Sequence, residues 1–306
     1  MRVLITGASG FIGSRLIRHL LADDQEVVAL VRQPDRIPRL EGVRASIELV
    51  RADLRDHESI EQAVRGARPD LVIHLAWYPG GAERWSSPGN LDALHDSVNL
   101  IHAVGRSGCR RFVGVGTCVE YDVSGGYLSE GNRLRPNTMY GVGKLSLFYA
   151  LEQLASLYGL DYAWPRIFYV YGSGEDPERL IAYVINQLLD DEPALLTSGR
   201  QIRDYLHVDD VAAAIWQVAA SPFNGAVNVG SGEPVSVAQV AASIGTIMGK
   251  PSLVKLGARP DRPGDPAFIC ANNARLRQLG WQPRYRLESG LRQTIAWWQN
   301  QHKVTS

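Results

Sequence analysis

Only three cysteines, Cys109, Cys118 and Cys270, occur in 306 residues, too few and too scattered for a disulfide framework or a zinc cluster. Neither sign of charge prevails: 32 Lys and Arg balance 32 Asp and Glu, which gives no reason to expect nucleic acid or an anionic membrane as a partner. Long apolar runs are missing too, since charges interrupt each one before the roughly eighteen residues a membrane span needs. No targeting segment is visible, and the chain starts on the strand-like run "MRVLITG". These absences predict a reducing, cytoplasmic compartment and a small, locally bound ligand. The seven histidines are scattered without metal spacing, and His95 and His102 share a helix face but have no third partner, so no metal site is expected.

What is present is a rhythm. From residue 2 onward short apolar runs alternate with longer amphipathic ones, the pattern of βαβ units around a parallel sheet buried on both faces. Strands are expected at 3–6, 27–31, 47–50, 71–76 and 111–116, and helices at 11–22, 57–66, about 86–107 and about 139–158. Later come strands at 162–167 and 226–230, with the rhythm broken by the loop "YGSGEDPER", a helix around 178–190 and the tract "LGARPDRPGDP". The expected fold class is α/β, a Rossmann-type doubly wound parallel sheet over residues 1–165, rejoined by about 205–230. Residues 166–204 and 231–306 are expected to form mainly a smaller C-terminal α/β substrate-binding domain.

"VLITGASGFIGSRL" sets Gly7, Gly10 and Gly13 just after the first strand and at the opening of an amphipathic helix. Glycine suits a tight turn, close approach of a diphosphate and close helix-to-strand packing there, while the helix N-terminus attracts negative charge. A ligand-free turn is the plainer alternative, disfavoured by the position at the head of a βαβ series. The second strand ends in "VVALVRQPDR", with Arg32, and Arg36 four residues on, where NAD-binding chains usually carry an acid for the ribose 2′-hydroxyl. A guanidinium there suits a 2′-phosphate, so NADP(H) is favoured over NAD(H). Asp35 keeps NAD open, and a solvated basic loop is the bland reading.

In "NTMYGVGKLSLFYALEQLASLYG", Tyr140 and Lys144 stand four residues apart, one turn apart on one helix face. A tyrosine with its ordinary pKa of about 10 is a poor acid or base at neutral pH; a neighbouring lysine cation favours the phenolate. Such a pair can protonate a carbonyl oxygen as hydride arrives, or run the reverse. Thr117, in "FVGVGTCVEYD", sits just past the fifth strand, at the sheet end where ligands bind.

Together these segments resemble the extended short-chain dehydrogenase/reductase family, also called NAD-dependent epimerase/dehydratase, over nearly the whole chain. "TGASGFIG" is similar to its cofactor loop, implying contacts from Gly7, Gly10, Phe11, Ile12 and Gly13. "RADLRD" resembles its adenine-contacting segment and implicates Asp53 and Leu54; "VIHLAW" resembles its fourth-strand motif and brings in Leu75, Ala76 and Trp77. Asn99 falls where a family asparagine stabilises the active-site helix, and Thr117, Tyr140 and Lys144 match the family's catalytic set. "RIFYVYG" implies Ile167 at the cofactor and Phe168 and Tyr169 at the substrate, with Tyr169 replacing a family asparagine. "RQIRDYLHVDDVA" and "RPGD" supply Arg203 and Arg262, suited to clamp a diphosphate or, alternatively, to pair with Asp204, Asp261 and Asp265. Trp77 would wall the nicotinamide or sugar pocket, or simply pack.

Family 4,6-dehydratases carry Asp-Glu after the threonine, where this chain has Cys118 and Val119; the resemblance therefore sets elimination aside. It implies NAD(P)H-dependent reduction of a nucleotide-linked 4-keto-6-deoxysugar, with nucleotide-sugar 4-epimerisation as the alternative. In that scheme Tyr140 donates the proton, Lys144 binds the nicotinamide ribose and Thr117 orients the carbonyl. Reduction of a non-sugar ketone and a non-catalytic dinucleotide sensor are further alternatives. Relatives pair their two long helices as a four-helix bundle, so a homodimer is expected.

Overall fold

Along Arg2–Thr6 (β1) successive side chains enter different cores, Val3 and Ile5 on one side and Leu4 on the other. This alternation turns a nearly continuous apolar run into the middle strand of a sheet covered on both faces. The computed structural model describes residues 1–305. After β1 come α1 (Phe11–Ala22), β2 (Glu26–Val31), β3 (Glu48–Arg51), α2 (His57–Ala67), β4 (Leu71–His74), α3 (Gly89–Arg106), β5 (Arg111–Gly114) and β6 (Gly116–Thr117). Then follow β7 (Gly126–Leu128), α4 (Met139–Tyr158), β8 (Asp161–Ile167), β9 (Tyr169–Tyr171), α5 (Leu180–Leu189), β10 (Ala194–Leu195), β11 (Ile202–His207), α6 (Val208–Ala220) and β12 (Gly225–Val229). The last elements are β13 (Pro234–Ser236), α7 (Val237–Ile247), β14 (Val254–Lys255), β15 (Ile269–Ala271), α8 (Ala274–Gln278) and α9 (Leu287–Thr305).

The main sheet runs β12-β8-β5-β4-β1-β2-β3, with β6 also on β8, and every pairing is parallel. The strand order reverses beside β1, which is where a doubly wound sheet opens its ligand crevice. One face is closed by Leu16, Ile17 and Leu20 of α1 with Val211, Ile215 and Val218 of α6. The other is closed by α2, α3 and α4 through Ile60, Val64, Leu100, Val104, Leu147 and Leu151. Each such fully buried aliphatic side chain contributes about 1.5–3 kcal/mol over exposure. A third cluster joins α5, α7 and α9 around Ile185, Ile244 and Leu291. Among the described residues no helix is long and apolar enough to cross a membrane.

The expected strands and helices are present, with instructive differences at their ends. The strand expected over 71–76 stops at His74 because the Ala76 N–H turns to the Thr6 hydroxyl, 3.3 Å, and leaves the ladder. The one expected over 111–116 divides at Val115 into β5 and β6, which pair with different stretches of β8. The helix expected from 86 begins at Gly89, after Pro88, and a 3-10 turn over Gly81–Trp85 precedes it. The helices α6 and α7 had no counterpart among the expected elements; α7 is announced by Ser236 and Gln239, whose side chains cap each other's backbone.

Candidate active site

The turn between β1 and α1 leaves no room for side chains. Gly7 has φ +68°, and a Cβ there would stand 2.7 Å from Ala76 N; a Cβ on Gly13 would run into the Gly7 carbonyl oxygen and come within 2.9 Å of Ala8 O. Gly10 caps α1 without any side-chain hydrogen bond, so the first-turn N–H groups point outward and can receive an anion. Phe11 and Ile12 pack sideways against the core, as does Leu75.

A buried relay fixes the opposite wall. Ala76 N–H donates to Thr6 Oγ1, Thr6 Oγ1 and His74 Nδ1 are 2.6 Å apart, His74 Nε2 and Ser97 Oγ are 2.8 Å apart, and Ser97 Oγ donates to Ala93 O at 2.6 Å. The terminal donor sets the direction: Ser97 must accept from His74 Nε2–H, so Nδ1 accepts from Thr6, and the imidazole is neutral. Burial pushes its pKa down to about 3, helped by Lys144.

At the far end of the crevice a cavity of ≈ 420 Å³ is lined by Arg32, Arg36, Arg51 and Arg55 together with Asp53 and Ser9. Asp53 is engaged by Arg55, whose Nη2 lies 2.6 Å from Oδ2; this hydrogen bond holds the carboxyl below its ordinary pKa. Leu54 packs on the second core. Arg51 and Arg55 were not singled out from the sequence; their signal was the basic flank on either side of "ADL".

The carboxyl end of β6 and the first turn of α4 bring the triad candidates together. Thr117 is buried, and Thr138 caps α4 through the Gly141 N–H, 3.1 Å, which starts the helix one residue before Tyr140. Burial pushes the Tyr140 phenol up to about 12, against the lowering expected from Lys144, while a hydrogen bond from the Thr117 side chain and the charge of Arg84 pull it back. Lys144 Nζ donates to Val115 O at 2.9 Å and lies 3.9 Å from the Trp77 ring centroid. Burial brings its pKa down to about 7, opposed by Glu120. Trp77 also meets Tyr140 edge-on at 6.4 Å, and Trp85 meets it at 5.6 Å.

Asn99, expected behind the active-site helix, is elsewhere. The buried positions of α3 are Asn90, Ser97, Leu100, Ile101, Ala103 and Val104. Asn99 falls between them on the side toward α2, where Nδ2 meets Nε2 of His57 and, at 3.3 Å, of His95. The buried amide behind α4 is Asn90, which accepts from Trp77 Nε1 at 2.9 Å and donates to Arg84 O at 2.7 Å. His57, His95 and Asp96 offer ligand atoms within 4.8 Å of one another, a grouping across α2 and α3 that the spacing of the histidines along the sequence does not show.

Ile167, expected at the cofactor, ends β8 beside Thr117. Phe168 and Cys118 share an apolar cluster that Val119 and Tyr169 edge, and burial raises the Cys118 thiol to about 12. Arg203 donates to Asp265 Oδ1, Pro266 O and Ile202 O at 2.7–2.8 Å, tying it to the turn that carries the exposed Arg262. The next residue, Asp204, faces the other way and accepts from the N–H groups of Ser231, Gly232 and Ala271.

A glycine-built anion cradle, a crevice at the reversal of strand order and a Thr-Tyr-Lys grouping at one sheet end agree with what the comparisons find. The sequence model of the NAD dependent epimerase/dehydratase family matches residues 3–230. A UDP-glucose 4-epimerase of Mycolicibacterium smegmatis is 31% identical, covering 98% of this chain and 99% of that protein. A dTDP-glucose 4,6-dehydratase of Streptomyces griseus is 32% identical over 97% of this chain and 93% of its own. The crystal structure of the Thermus thermophilus UDP-glucose 4-epimerase in complex with NAD matches with a TM-score of 0.87 at 29% identity, covering 98% of this chain and 99% of that one. With the family pattern matched over most of its length and its fold shared from end to end, this chain belongs to the NAD dependent epimerase/dehydratase family, as an NAD(P)-dependent enzyme of the extended short-chain dehydrogenase/reductase type.

Proposed function

We propose that this enzyme carries out hydride chemistry at C4 of a nucleotide-linked sugar without eliminating water, and that 4-epimerisation is the reaction. The observation that carries this is the surroundings of Thr117. Cys118 and Val119 lie in an apolar cluster, and the neighbouring acid, Glu120, is fully buried and engaged by Arg166, so none of the three offers the acid and base that elimination needs. The 4-epimerases among the relatives favour this reading over reduction.

Gly7, Gly10 and Gly13 with the α1 N-terminus fit the diphosphate of a dinucleotide, which when bound would supply the hydride acceptor and donor. Tyr140 would take the C4 hydroxyl proton as a phenolate and return it as the phenol, the positive charges of Lys144 and of a bound oxidised nicotinamide offsetting the burial that raises it; Thr117 would orient that oxygen, and Trp77 would keep water from it. Arg262 would meet the nucleotide diphosphate, while Arg203 holds its turn in place. The third core, with β9, β11 and β13, would form the substrate-binding part.

A second reading is favoured by a specific observation. Four arginines around one cavity suit a 2′-phosphate, and with it NADPH-driven reduction of a 4-keto-6-deoxysugar. Leu91 of α3 and Val142, Tyr149 and Leu157 of α4 are exposed apolar side chains, and a homodimer through these helices is part of the proposal. The buried, unbridged Cys109, Cys118 and Cys270 suit a reducing, cytoplasmic setting.

One pair of assays tests both reactions. UDP-glucose with NAD and no added reductant should yield the C4 epimer by proton NMR, whereas the reductase instead consumes NADPH with a dTDP-4-keto-6-deoxyhexose. Tyr140→Phe should lower whichever rate is found by about 10²–10⁴. Turnover with neither substrate would sink the nucleotide-sugar reading.

A further inference from the structure

Directly beneath Thr117 sits an acid that the hydride chemistry above does not use. Glu120 Oε1 accepts the Thr117 N–H at 2.8 Å, Oε2 accepts Arg166 Nε–H at 2.7 Å, and Trp164 Nε1–H reaches both oxygens at 3.1 Å. All of these partners are donors. A proton on Glu120 would have nothing to bond to, so the group is a carboxylate despite complete burial. Arg166, 1% exposed, balances the charge and also donates to Tyr121 OH at 3.1 Å, which in turn donates to Asn228 Oδ1 at 2.7 Å. The space is shaped around the acid: a Cβ on Gly116 would lie 2.5 Å from Glu120 Oε1.

Lys144 is held at the same strand end: its Nζ donates to Val115 O at 2.9 Å, two residues before the Thr117 N–H that Glu120 accepts. The groups facing that ammonium are the Val115 carbonyl, the Trp77 ring, His74, Tyr140 one turn earlier on α4, and Glu120. His74 is neutral by its hydrogen bonds and Tyr140 is un-ionised near neutral pH. Glu120 is therefore the negative charge among them, opposing the burial of the ammonium.

We propose that Glu120 is a positioning residue of the reaction: through the Thr117 N–H it fixes the hydroxyl that meets substrate, and through its charge it favours the ammonium form of Lys144, with Arg166 locking the carboxylate in place. The catalytic part rests on the reading of Thr117, Tyr140 and Lys144 given above; the effect on Lys144 does not.

The chain has four lysines, Lys144, Lys250, Lys255 and Lys303, so ¹⁵Nζ-lysine NMR can follow each one. In Glu120→Gln, with the fold checked by circular dichroism, the Lys144 midpoint should fall by about one pH unit while the other three stay in place. The alkaline limb of kcat/KM should move down with it. A folded variant whose Lys144 midpoint stays within about 0.3 unit of the parent overturns the proposal. Because Glu120→Gln leaves Arg166 buried without its counter-ion and can prevent folding, the unaltered protein supplies a second measurement. Burial raises this acid from its ordinary range while Arg166 and the Thr117 N–H pull it back; the Glu120 carboxyl carbon should show the ionised form at about pH 7, and a protonated carboxyl there equally overturns the proposal. If Lys144 shifts but Tyr140→Phe turns over as fast as the parent, the catalytic reading fails and the charge role of Glu120 stands.

Discussion

Lys144 Nζ stands 3.9 Å above the centre of the Trp77 ring, and that ring donates through Nε1 to the buried Asn90 Oδ1 at 2.9 Å. One tryptophan thus meets the ammonium with its face and anchors the first turn of α3 with its edge. Trp77→Phe keeps a ring for the cation but leaves Asn90 Oδ1 without its donor, for an expected loss of about 1 kcal/mol. Trp77→Leu removes both contacts and should lose about 2 kcal/mol. Urea midpoints at constant slope read the difference, and equal losses would show that the ring contributes nothing through Lys144.

The same substitution should act with opposite sign at two helical glycines. Gly13→Ala drives a methyl into the Gly7 and Ala8 carbonyls, backbone atoms that cannot step aside, and should cost about 2–3 kcal/mol together with dinucleotide binding. Gly66→Ala, in α2 with nothing within 4 Å of the added methyl, should stabilise by about 0.5–1 kcal/mol. Thermal melts of the two variants check both signs.

His74 makes the fold acid-sensitive. Its pKa in the folded chain is about 3 against an ordinary 6.5, so between those values the unfolded chain takes up the proton first. Its contribution is complete above pH 6.5 and is lost as pH falls toward 3. Glu175, buried and raised to about 7 from 4.5, runs the other way between those two values. His74→Asn should therefore be less stable at pH 7 yet show a shallower fall in stability between pH 6.5 and 3. An unchanged slope in denaturant titrations would refute the assignment.

The four-arginine cavity bears on cofactor choice. If Arg32 and Arg51 meet a 2′-phosphate, replacing either by alanine should weaken NADPH at least about tenfold and leave NADH nearly unchanged. Calorimetric titration of both dinucleotides into each variant measures this. Parallel weakening of the two cofactors would place the arginines on the shared diphosphate or adenosine instead.

Periodicity made the sheet legible, because each strand is an apolar run whose alternate residues feed two cores. Gly7 and Gly13 were legible as well, since close backbone approach leaves few other residues possible. Pair contacts across distant segments were not. Nothing in the order of residues announces that Glu120, three positions after Thr117, turns inward to meet Arg166 and Trp164 on β8. Nor does it announce that Asn90 rather than Asn99 backs α4: the two are nine positions apart on α3, and only the packed helix shows which one is turned toward it. Arg84 is illegible for the same reason, its charge bearing on Tyr140 from a 3-10 turn with no periodic pattern of its own.

Arg203 and Asp204 are neighbours on β11 whose side chains leave the strand on opposite faces, one gripping the 265–266 segment and the other the 231–232 turn and β15. Two return segments far apart along the chain are thereby registered to a single peptide step. A ligand lying between them meets walls already in position, so little ordering remains to be done on binding. Shortening Asp204 would release the 231–232 turn and β15 together, and under the substrate placement proposed above the binding of substrate would weaken before the sheet itself did.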